Sequence, residues 1–239
     1  MTTASQLVFD PFSEEFFNGP WEIYRRMREE APVYYNEEYD FYALSRHEDV
    51  AAAYKDWETF SSAYGLDLAM VKSGEPPMIK AIILMDPPEH RQMRSLINKV
   101  FTPRAIEALR PLVVETIDKY ISQANPERFD VVQDFGALFP VEVITTMLGV
   151  PPEYRQKVRE WTDISLHREP GQMDMSQEGL QAIGETFALY HQLIQERRAE
   201  PRDDMFSRLI AAEIEEDGVK RRLDDFEITS FATLLGGAG

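Results

Sequence analysis

The chain has 239 residues, 44% of them hydrophobic and 28% charged, with a formal charge of −17 and no cysteine. That length buries a sizeable core in one large domain or two small ones, and the composition is that of a soluble globular protein. Such an acidic chain is no general nucleic-acid binder, and without cysteine it has no disulfide, Cys-ligated zinc or thiol nucleophile.

The first dozen residues lack the basic start and apolar run of a secretory signal. No window approaches the roughly 20 apolar residues of a membrane span. A soluble, cytoplasmic protein is the expectation. Residues 20–30 place Trp21, Tyr24 and Met27 at helical spacing behind Pro20, which predicts a short amphipathic helix. Two short strands follow, over 31–36 and 40–45, joined by a polar turn at Glu37 and Glu38. Ser45 and Glu48 then have the spacing of a capping box, opening a helix over 47–56. From Gly65 to Leu84 periodicity is lost: Gly74, Pro76 and Pro77 interrupt a greasy run that includes Leu68, Met70, Ile82 and Ile83. A loop of this kind either walls a pocket for an apolar small molecule or docks onto the core.

The stretch from Met85 to Pro103 opens a helix with care. Asp86 can cap the first amides, Pro87 and Pro88 fall early where no amide hydrogen is missed, and Glu89 can reach back toward Asp86. The helix stacks His90 and Arg94 on one face, beside Met93, Leu96, Ile97 and Val100. Two such donors suit a planar ligand that carries carboxylates; a solvated basic face has the same spacing. Residues 86–110 hold five Lys/Arg against three Asp/Glu. This island on an acidic chain either attracts an acidic partner or merely solvates a helical surface through Arg91, Lys99, Arg104 and Arg110.

Beyond Pro103 a long helical stripe runs through Ile106, Leu109, Val113, Ile117 and Tyr120, with Pro111 marking a kink or break. Phe129 to Val132 reads as a short strand. Residues 138–148 are apolar nearly all round, as in a central helix, and Gly149 with Pro151 and Pro152 ends that helix and starts the next, to about Leu166. A polar connector with Met173 and Met175 leads to a helix over 177–200. The acidic cluster Glu213, Glu215, Glu216 and Asp217 does not match a calcium loop and reads as a solvated helix end. Asp224 or Asp225 is placed to cap the final helix. There is no GxGxxG, no phosphate-cradling loop and no HExxH, and neither His167 nor His191 has partners at ligand spacing.

The wording Asp-Pro-Pro-Glu-His-Arg-x-x-Arg over 86–94, followed by Phe101-Thr102-Pro103, resembles helix C of the bacterial cytochrome P450 enzymes, the haem-thiolate monooxygenases. Other segments match in the family's order, so the resemblance covers essentially the whole chain. It implies a mainly α fold with a small β element near the N-terminus, incomplete in this chain: 1–64 as N-terminal helix, hairpin and helix B, 65–84 as a pocket-covering loop, and 85–239 as helices C to the start of I of a single domain. It implies haem b as cofactor, with His90 and Arg94 binding the propionates. Ala238 and Gly239 would leave room for dioxygen, and Ile82, Ile83, Leu234 and Gly237 would line the site of an apolar small-molecule substrate. Arg91 and Lys99 would dock a ferredoxin-type donor relaying electrons from NAD(P)H. The family's axial thiolate and acid–alcohol pair do not occur in these residues, so the resemblance implies the N-terminal portion of a longer protein, inactive alone. The alternatives are a haem-thiolate peroxygenase or coupling enzyme, and a haem-free helical module that binds an apolar ligand if the chain truly stops at Gly239.

Overall fold

The computed structural model describes the chain apart from residues 1–5, 76, 78, 80, 217–218 and 238–239, and apart from the side chains of 99–100 and 214–216. The chain is mainly helical and groups into two compact units, residues 1–77 with 168–175, and 78–167 with 176–239. Each holds one two-stranded antiparallel hairpin. Among the described residues no helix is long and apolar enough to cross a membrane.

In the first unit, α1 (Glu14–Asn18) is capped by the Ser13 hydroxyl, which accepts from the Phe16 amide at 3.2 Å. α2 (Trp21–Glu30) turns Ile23 and Met27, four residues apart, into a small core. Phe9 packs edge-on against Phe16, Tyr34 and Phe41 there. β1 (Val33–Asn36) pairs with β2 (Phe41–Leu44), Val33 opposite Leu44, where two strands are expected. α3 (His47–Ala53) forms without the Ser45 box: its N-cap is Arg46, and the Ser45 hydroxyl donates instead to the Pro32 carbonyl at 3.3 Å. The edge of the hairpin competes for that hydroxyl and wins. The apolar stretch after Gly65 is not structureless either. Asp67 accepts from the Met70 amide at 2.8 Å and starts α4 (Leu68–Ser73), which Gly74 ends at φ 67°.

The second unit begins with a 3-10 turn (Ile82–Leu84) and α5 (Glu89–Val100). The expected long helix after Pro103 is broken into α6 (Pro103–Glu107), capped by Thr102, and α7 (Arg110–Gln123). Pro111 sits at the start of α7, where its missing amide hydrogen costs nothing. Residues 129–132 are not a strand. Asp130 accepts from the Val132 and Gln133 amides and starts a π-turn (Val132–Gly136), and a strand needs a partner that is not found beside it among the described residues. α8 (Phe139–Leu148) and α9 (Pro152–Leu166) follow as expected, then α10 (Gln177–Ala199), capped by Ser176, and α11 (Met205–Ala211). Glu213–Glu216 is a strand, β3, rather than a helix end. It pairs with β4 (Val219–Arg222), placing Glu213 opposite Arg222 and Glu215 opposite Lys220. Opposite charges across a ladder stabilise a pairing that helical periodicity does not reveal. α12 (Asp225–Gly237) starts in a reciprocal box. Asp224 Oδ1 accepts from the Glu227 amide at 2.7 Å, and Glu227 Oε2 accepts from the Asp224 amide at 2.9 Å.

α10 is the central element of this unit, lying against α9, α11 and α12. Leu148, Val158, Tyr190, Leu193, Phe206 and Ile228 form the heart of its core. At its edge the fully buried Arg197 of α10 donates to Asp204 Oδ2 at 2.6 Å and to the Gly149 carbonyl at 2.8 Å. Asp204 also caps α11, and Gly149, at φ 95°, ends α8. Any side chain at 149 would meet the Asp204 carboxylate carbon at 2.7 Å. Burial alone would raise the Asp204 carboxyl, but the bonds from Arg197 and Ser207 outweigh it and hold it below its ordinary range. A second buried carboxylate, Glu142 of α8, accepts from Arg155 at 3.0 Å, Tyr120 at 3.2 Å and Lys119 at 3.3 Å. Here too burial opposes ionisation and the two cations prevail, while burial and the Glu142 charge push the Tyr120 phenol up to about 12.

Replacing Arg197 with Leu strands a buried carboxylate and a helix-end carbonyl, so the variant should lose about 3–5 kcal/mol of stability, read from urea unfolding midpoints. A loss below 1 kcal/mol would show that the three helix ends do not depend on it. Because Asp204 and Glu142 have depressed folded-state values, their contribution is complete above the unfolded range near pH 4 and is lost as pH falls through the folded values. Melting temperature should therefore drop steeply below about pH 4, and less steeply in an Asp204→Asn variant.

Candidate functional site

α5 owes its position to one apolar stripe. Met93 and Leu96 are buried in the core, Leu96 almost completely, and Ile97 and Phe101 pack beside them. The helix begins at Glu89 with Pro88 as its N-cap and no side-chain cap hydrogen bond. The expected box from Asp86 is replaced by a backbone bond, in which the Asp86 carbonyl accepts from the His90 amide at 3.0 Å. At its other end the Phe101 amide donates to Ile97, and Thr102 takes the chain into α6.

With about 100° per residue, His90 and Arg94 leave the helix at the flank of this stripe, one turn apart. His90 is half-buried and Arg94 is exposed. Among the described residues neither has a hydrogen bond or an ion pair to another side chain, whereas Arg25, Arg26, Arg110, Arg159, Arg197 and Arg198 all pair with carboxylates. Arg91 is exposed on the side away from the core. The Lys99 side chain lies outside the described residues.

The remaining candidates fall at two places. Ile82 is buried beside α5 as part of the core, and its neighbour Ile83 is 43% exposed. Leu234 is half-buried against the same core at the far end of α12, and Gly237 is exposed one turn later. α11 lies against both α5 and α12. Ala238 and Gly239 lie outside the described residues. No group of three or more acidic or histidine side chains that would hold a metal ion occurs among the described residues.

Sequence reasoning passed over two features of α12. Gly236 backs directly onto Tyr190 of α10, and the α12 hydroxyls of Ser230 and Thr233 are buried without a hydrogen-bond partner among the described residues. The Gly236-Gly237 pair was the visible signal for the first. Nothing in the pattern marks Tyr190 as more than a core aromatic.

Comparison with known proteins identifies the family of the chain. The cytochrome P450 family model matches residues 14–239. A putative cytochrome P450 123 of Mycobacterium tuberculosis is 39% identical over 236 residues, covering 98% of this chain and 58% of that protein. The erythromycin C-12 hydroxylase of Saccharopolyspora erythraea is 34% identical, covering 89% of this chain and 52% of its own length. Among solved structures, substrate-free CYP109E1 of Bacillus megaterium superposes with a TM-score of 0.76 at 30% identity, over 92% of this chain and 57% of that one. The chain thus spans a little over half the length of these relatives. It belongs to the cytochrome P450 family, whose members bind haem b and act as haem-thiolate monooxygenases.

Proposed function

We propose that the protein is a monooxygenase that places one oxygen atom of dioxygen into an apolar organic substrate, with electrons reaching it from NAD(P)H through a ferredoxin-type donor. The observation that carries the reading is the pair His90 and Arg94: two donors one turn apart, on a rigid helix, without protein partners among the described residues. Their chemistry fits the two propionates of haem. Charge-assisted bonds from Arg94 and from the His90 ring would fix the edge of the macrocycle, and the Met93–Leu96 stripe holds both donors in place. Haem, when bound, supplies the activation of dioxygen, and the chain supplies orientation and exclusion of water.

The other assignments follow from the same frame. Ile83 and Leu234 offer apolar surface for substrate, with Ile82 supporting from the core, and Gly237 leads into Ala238 and Gly239, where small residues leave space for dioxygen. Arg91, facing away from the core, and Lys99 form the basic patch for an acidic electron donor, on a chain that is otherwise strongly acidic. The iron's thiolate would come from outside these 239 residues, which contain no cysteine. A Bacillus megaterium relative crystallised in complex with corticosterone supports an apolar substrate. The protein itself would work in the cytoplasm.

The complete gene product, reduced and exposed to carbon monoxide, should show the strongly red-shifted Soret band of a thiolate-ligated ferrous haem. A colourless protein would overturn the reading in favour of a haem-free binding module. Arg94→Ala should lose haem roughly tenfold to a hundredfold faster, from one charge-assisted bond. Being an exposed residue, its removal should change unfolding stability of the haem-free protein by less than about 0.5 kcal/mol. Unchanged haem retention would remove Arg94 from the site.

A further inference from the structure

Tyr190 is fully buried in the middle of α10, edge-on to Phe206, and its hydroxyl has no hydrogen-bond partner among the described residues. Burial pushes the phenol far above its ordinary value, so it stays a neutral donor. That hydroxyl lies against Gly236 of α12: a methyl group added at Gly236 would sit 2.7 Å from the Tyr190 oxygen. The same added methyl would touch Val158 of α9 at 3.8 Å, and one at Gly237 would touch Thr162 of α9 at 3.7 Å. The last turn of α12 is therefore seated between α9 and α10, and the Tyr190 oxygen sets how near it comes to α10.

Two local choices here work against stability. A glycine inside a helix is less favourable than alanine, and a buried hydroxyl without a partner is less favourable than the bare ring of phenylalanine. Phe at 190 with Ala at 236 would satisfy both preferences and fill the same space. Places where a sequence breaks two local rules at one contact are expected to be functional.

We propose that Tyr190 is a positioning residue: its hydroxyl, held against Gly236, fixes the course of the last turn of α12. The inference rests on the haem reading above, because it is the haem side of α12 whose placement matters. Tyr190 acts through α12 and touches neither cofactor nor substrate.

A substitution cycle on the complete gene product tests it, read by melting temperature of the haem-free protein and by the carbon–oxygen stretching band of the ferrous carbon monoxide adduct. Gly236→Ala should lower the melting temperature and shift the band, because the helix must move away from the Tyr190 oxygen. Adding Tyr190→Phe should restore both. Tyr190→Phe alone should keep or raise the melting temperature yet still shift the band, which a purely structural tyrosine would not do. This single variant decides the matter if Gly236→Ala fails to fold. Additive effects in the cycle, or an unshifted band in Tyr190→Phe, would overturn the role of Tyr190. Failure of the unaltered protein to form any carbon monoxide adduct would instead overturn the haem reading, and the proposal with it.

Discussion

The larger unit depends on one buried cation. Arg197 ties together three helix ends at a point where each has unsatisfied backbone groups: the carbonyl of Gly149 closing α8, the Asp204 carboxylate capping α11, and its own last turn of α10. A buried guanidinium is costly unless its donors are met, and here two of them meet a carboxylate and a carbonyl at short range. The arrangement also explains why residue 149 must be glycine, beyond its left-handed backbone. Asp204 occupies the space that any Cβ would need. The pin fixes the end of α10 against the ends of α8 and α11, and α10 in turn carries α12, the helix on which the oxygen-side assignments rest.

Where local chemistry and tertiary chemistry agree, the sequence was readable. The amphipathic α2, the apolar α8 ended by Gly149, the long α10 and the capped start of α12 all fall where periodicity and capping residues put them. The failures have a common physical cause. The Ser45 hydroxyl had two possible acceptors or donors to serve, and the hairpin beside it took priority over the helix ahead. The segment 129–132 has the composition of a strand, but Asp130 turns it and no neighbouring strand competes for its amides among the described residues. Glu213–Glu216 has the charges of a solvated helix end, yet it pairs in register with Val219–Arg222 as half of a hairpin. Cross-strand and capping competition are relations between residues that a one-dimensional pattern does not carry.

The site shows the same division. His90 and Arg94 were legible because helical spacing fixes which residues share a face, whatever the tertiary structure. That neither has a hydrogen bond or ion pair to another side chain among the described residues was not legible; it emerges only from the structure, in which Arg25, Arg26, Arg197 and Arg198 do bind carboxylates.

The α12 glycines show how far steric reasoning reaches. The family resemblance implies space for dioxygen at Ala238 and Gly239 and a substrate-side place for Gly237, and it implies no role for Gly236. In the structure Gly236 faces Tyr190 and Val158, inside the protein, so its smallness serves the approach of a neighbouring helix. Gly237 is exposed and has only Thr162 near its added methyl. Adjacent glycines on a helix point about 100° apart, so they cannot share a single steric reason. Gly236 answers to the close approach of α12 to α10, and Gly237, turned toward Thr162, does not.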